Sequence, residues 1–139
     1  MGRVEKQVRT QLEASLVLMG RTAKTFFTDN FRKQGFEDKT VSKWKPRKDT
    51  GKRSQGRAIL VKSGDLRRSI RFDTVNKSNL SVRIATDLPY AKIHNEGLTG
   101  KAWGKAPFKM PKRQFIGDSY ALNEKIKKVL LTNINKAFK

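Results

Sequence analysis

Apolar residues in the first third of the chain recur at helical spacing. Val4, Val8, Leu12, Leu16, Met19, Ala23, Phe27 and Phe31 step by four or three, and so fall on one stripe of an α-helix. Val17 and Phe26 widen that stripe. The pattern predicts one long helix over residues 1–35, weakened in the middle by Gly20 and stopped at Gly35. At ~1.5 Å per residue such a helix is a rod about 45 Å long. The rest of the chain is too small to cover a rod of that length. Either it bends, or part of its stripe packs on a second molecule.

The helical period vanishes over residues 36–58, which hold Trp44, Pro46, Gly51 and Gly56 and read as a loop. Trp44 is expected to dock on the core rather than stack on a ligand. Beyond the apolar run 59–61, Gly64, Asp65 and Leu66 predict a brief helical turn reaching Ile70. Ile70, Phe72 and Thr74 then alternate with polar residues, residues 76–79 read as a turn, and Leu80, Val82 and Ile84 alternate again. That is an antiparallel hairpin with one face on the core. Pro89 opens a short helix through Asn95, and Gly97 closes it. Residues 98–110, with Trp103 and Phe108, read as a loop holding at most a short strand. Leu122, Ile126, Val129, Leu130, Ile134 and Phe138 form a second helical stripe over residues 118–139, capped by Asp118 or Ser119. The fold class is α+β: long N- and C-terminal helices packed on a small antiparallel β-sheet, with a basic loop after the first helix. The 139 residues suit one domain, with the hairpin and short helices spanning 59–117. The edges of so small a sheet invite pairing with another chain.

Charge changes this picture most. Lys and Arg total 32 against 12 Asp and Glu, a formal net charge of +20. Residues 39–71 alone hold twelve Lys or Arg against Asp49 and Asp65. Such clustering is the footprint of contact with nucleic-acid phosphate or with an acidic protein surface. There is no cysteine, which excludes disulfides, thiolate metal sites and cysteine nucleophiles, and the single histidine, His94, excludes any two-histidine arrangement. No apolar run approaches the ~20 residues needed to span a bilayer. The N-terminus leads into an amphipathic pattern rather than a signal segment, so the expected setting is a cytoplasm-like compartment.

Little chemistry is visible. Asp65, Asp73, Asp87 and Glu96 are scattered, each at a turn or cap, and His94 reads as a packed residue rather than a catalyst. Residues 51–58 mimic a phosphate-binding loop but carry Arg57 and Ala58 where the pattern needs Lys and Ser or Thr. No enzyme activity, cofactor, metal or membrane contact is expected. A free nucleic-acid-binding protein, holding phosphate without sequence preference, is the alternative to a structural role.

Four segments in order carry a resemblance. They are Trp44-Lys-Pro46, then Leu60-Val-Lys-Ser63-Gly64-Asp65-Leu66-Arg-Arg-Ser69-Ile70, then Tyr90-Ala91-Lys-Ile93-His94-Asn-Glu-Gly97, then Met110-Pro111-Lys-Arg113-Gln-Phe115-Ile116-Gly117. Together they resemble the phage virion morphogenesis family, the tail-completion proteins of Mu-like and P2-like tailed phages. The resemblance implies a virion structural protein at the tail or neck, found in the host cytoplasm during assembly. It implies a ring former, commonly hexameric, around the DNA channel. Its partners would be identical copies, neighbouring tail, neck or connector proteins, and the packaged DNA. On that reading Lys43, Lys45, Arg47, Lys48, Lys52, Arg53 and Arg57 form a cationic arm for DNA or an acidic partner, and Arg67, Arg68 and Arg71 add to it. Trp44, Gly64, Leu66, Tyr90, His94, Gly97, Pro111, Arg113 and Phe115 hold the fold together.

Overall fold

The computed structural model describes residues 2–46, 60, 64–100 and 108–138. Helix α1 spans Arg3–Lys33. It ends one residue earlier than its glycine would suggest. Gln34 takes the left-handed conformation (φ 55°, ψ 41°), its N–H bonds the Asn30 carbonyl, and its side chain donates to the Phe31 carbonyl at 2.6 Å. Gly35 instead opens strand β1, where any Cβ would lie 2.5 Å from the Ser42 carbonyl oxygen.

Strand β1 (Gly35–Glu37) pairs antiparallel with β2 (Val41–Lys43). The sequence reading placed this stretch in the loop, and that is corrected here. Strands of three residues are too short to show a period. Their pairing is fixed from outside, by the buried side chain of Phe36 and by Trp44 N–H bonding the Gln34 carbonyl at 2.8 Å.

Helix α2 (Asp65–Ser69) starts from Gly64 at φ 73° and leads into β3 (Arg71–Asn76), which pairs with β4 (Ser81–Ala85). The Asn76 side chain closes the turn by accepting from Ser78 and Asn79 N–H. A bulge between Phe72 and Thr74 shifts the register. Phe72 faces Ile84, but beyond the bulge it is Val75, not Thr74, that pairs with Val82. Helix α3 (Ala91–Glu96) ends at Gly97, φ 69°. Strands β5 (Thr99–Gly100) and β6 (Phe108–Lys109) form a third ladder. Helix α4 (Tyr120–Asn135) runs on into a 3-10 turn, Lys136–Phe138. The expected sheet is thus three separate two-stranded ladders among the described residues.

Helix α4 lies antiparallel along α1. Leu122 packs in the cluster of Ala23, Phe26, Phe27 and Phe36, while about three turns further on Asn133 donates to Ser15 Oγ at 2.8 Å. The β3–β4 hairpin covers another side of α1, from Gly20 under Phe72 to Arg9, which donates to the Lys77 carbonyl at 2.7 Å. A second cluster joins Phe31, Trp44, Leu66, Ile70, Ala91 and Phe115, and Ile84 and Ile116 border both. All the buried residues of α1 lie between Ser15 and Phe31; residues 3–14 have none.

Candidate functional site

The four sequence segments converge on one junction at the C-terminal end of α1. Phe31 is its hub, with the Trp44 ring edge-on at 5.5 Å and Phe115 at 5.2 Å. Trp44 docks, and its indole Nε1 donates to the Gln114 carbonyl at 2.7 Å. Asn30, wholly buried, donates to the Phe115 carbonyl at 3.0 Å and accepts from Glu37 N–H at 3.2 Å. Asn95 on α3 accepts from both Phe115 and Ile116 N–H, at 2.9 and 3.0 Å. Arg113 N–H bonds the His94 carbonyl at 2.8 Å. Gly97 is needed twice: its φ is positive, and a Cβ would sit 2.8–2.9 Å from the backbone and Cβ of Lys112. Pro111 lies on the same returning strand of chain, half-buried, and Leu66 fills the core below α2.

The junction holds the root of the cationic segment. Arg113 is buried, and its Nε and one terminal nitrogen donate to the Lys45 carbonyl at 3.1 and 2.9 Å. With Trp44 docked beside it, the backbone at Lys45 is held at a fixed point and the Lys45 side chain is exposed. Arg47, Lys48, Lys52, Arg53 and Arg57 lie outside the described residues. Lys43 donates to the Lys33 carbonyl at 2.7 Å, and Arg67 is exposed.

Two of the expected cations have carboxylate partners. Arg68 bonds Asp65 at 3.0 Å. Arg71 meets Asp87 at 2.9 Å and Asp73 at 3.3 Å, and the Asp87 hydrogen bond raises its pKa above the ordinary value. Exposed pairs of this kind are screened by water and add little stability. Their effect here is to take charge out of the basic surface.

The chain matches the phage virion morphogenesis family over residues 2–135, from the residue before α1 to the last residue of α4. It belongs to that family. Residues from all four segments, Trp44, Leu66, Ile70, Ala91 and Phe115, pack in one cluster with Phe31. No curated protein and no solved structure matches the chain. As a family member it takes part in building a phage virion. Among the described residues no helix is long and apolar enough to cross a membrane, and no three His, Asp or Glu side chains come together as metal ligands would.

Tyr90 and His94 stack edge-to-face at 5.9 Å on α3. His94 Nδ1 is buried without a hydrogen-bond partner. Burial, and next the charge of Arg113, push its pKa below the ordinary histidine value. Asn30, Asn95 and Asp38 were missed by the sequence reading. Asn30 had a signal, a polar residue set among Phe26, Phe27 and Phe31. Asp38 caps α4 from a distant turn, accepting Tyr120 N–H at 2.7 Å, and nothing local marks it.

Proposed function

We propose that the chain is a tail-completion or neck subunit, six copies of which close a ring around the DNA channel at the head–tail junction. The observation that supports this most is the thin cover on the first part of α1. Along residues 3–14 the apolar stripe has Val8 and Leu12 only half-buried and Val4 53% exposed. Those residues extend the helix by about 18 Å, and apolar positions left partly in water there gain little alone. Against a neighbouring copy the same stripe is buried, at roughly 25 cal/mol per Å² of apolar surface.

The cationic segment rooted at Trp44 and Lys45 then faces the packaged DNA or an acidic neighbour. A ring of like-charged copies needs such counter-charge to close. The test is the copy number of the chain in purified virions, by quantitative mass spectrometry, beside duplex binding by the free chain as salt is raised. A fixed small multiple in finished particles supports the ring. Tight duplex binding with a steep salt dependence, from a chain missing from virions, supports a free nucleic-acid-binding protein instead.

A further inference from the structure

Helix α4 and its 3-10 turn carry an outward stripe besides the buried one. Tyr120, Glu124, Lys127 and Leu131 step by four, three and four residues and so share one face of α4, and Phe138 is exposed in the 3-10 turn beyond it. Phe138 is 65% exposed, Tyr120 53% and Leu131 52%. The residues that pack on α1 fall between them, at Leu122, Asn133 and Ala137. Three large apolar side chains, Tyr120, Leu131 and Phe138, are thus spread in water over about 27 Å, with the charged Glu124 and Lys127 between the first two, so the surface is mixed apolar and charged.

Charge decides what covers it. Lys127, Lys128 and Lys136 are exposed on this helix and its turn, and Lys39 Nζ stands 5.5 Å from the Tyr120 ring at the other end. Glu124 is the one carboxylate on α4, and among the described residues no ion pair involves that helix. A second copy would lay lysines on lysines within a pair of +20 chains. Duplex DNA would meet the lysines but leave Leu131 and Phe138 in water. An acidic segment with apolar side chains of its own satisfies both sets, in the manner of an amphipathic helix laid along a complementary face.

We propose that the outward stripe of α4 docks an acidic amphipathic segment of another virion protein, its apolar side chains on Tyr120, Leu131 and Phe138 and its carboxylates on Lys127 and Lys128. This rests on the chain's role in virion building and not on the ring. It is tested in particles assembled with the full-length chain carrying a photo-crosslinking amino acid at position 131 or, separately, 138. The expected adduct joins this chain to a different virion protein through a peptide of net negative charge. The double variant Lys127→Glu, Lys128→Glu cuts its yield about tenfold or more, as repulsion replaces attraction across the contact. Lys92→Glu, on α3, leaves it unchanged. Adducts to DNA or to a second copy, no protein adduct from particles that contain the chain, or a yield indifferent to the α4 charge reversal each overturn the proposal. Particles lacking the chain altogether contradict the virion role itself, which separates the two failures.

Discussion

The ring of Phe72 lies directly on the backbone of Gly20: a Cβ built on that glycine would fall 2.4 Å from Phe72 Cε2. The glycine that looked like a weak point of α1 is where the hairpin seats. In an isolated helix Gly20→Ala would gain about 1 kcal/mol. Here it forces the ring away, and overpacking of that kind costs about 1–3 kcal/mol. Gly20→Ala is therefore expected to lower the urea midpoint, and Phe72→Leu in the same chain to recover part of the loss. Simple additivity of the two substitutions would contradict this contact.

Asn30 ties the end of α1 to two other stretches of backbone. Asn30→Leu keeps the volume but leaves the Phe115 carbonyl and the Glu37 N–H without that partner. Each such buried group costs about 1–3 kcal/mol, so a loss of about 2–6 kcal/mol is expected in denaturant unfolding. A loss under about 1 kcal/mol, the net value of a single replaceable hydrogen bond, would show that the clamp is not needed.

Trp44 separates into two parts. Trp44→Phe keeps a ring against Phe31 but gives up the hydrogen bond to the Gln114 carbonyl, about 0.5–1.5 kcal/mol, together with part of the indole's packing. Trp44→Ala removes the ring and costs about 3–5 kcal/mol. It also frees the root of the cationic segment, so limited trypsin digestion after Lys43 and Arg47 is expected to quicken more than global unfolding accounts for. Equal effects of the two substitutions would place the anchor elsewhere.

His94 makes stability depend on pH. Its folded pKa lies below the ordinary 6.5, because burial and then Arg113 disfavour the charged ring. The unfolded chain binds that proton more readily, so the contribution of neutral His94 is complete above about pH 6.5 and is lost as the pH falls through the folded value. Denaturation midpoints between about pH 5 and 7.5 are expected to drop on the acid side, and His94→Gln to flatten the curve there. A variant that keeps the full slope would assign it to another group.

Much of this fold could be read from local pattern. The period-3.6 stripes of α1 and α4 and the alternation of β3 and β4 are each long enough to show themselves. The short helix closed by Gly97 is marked by its own punctuation. What escaped is set by contacts distant in sequence. The β1–β2 pair depends on Phe36 and Trp44 reaching the core, and the bulge after Phe72 has no local mark in the sequence. Phe138 continues the helical stripe on paper, yet the 3-10 turn leaves it exposed. In the junction, Trp44 and Phe115 could be singled out as motif residues. The amides of Asn30 and Asn95 that join them carry no spacing signal, because each bonds backbone far along the chain.

If copies of this chain complete their burial by joining one another at the junction of head and tail, the most direct measurement is a cryo-electron microscopy map of the intact particle in which α1 can be traced. The expected result is a closed ring at that junction, with the first turns of each α1 covered by the adjoining copy. A particle whose junction contains no such chain, or a lone copy with Val4 and Leu12 facing water, would contradict it.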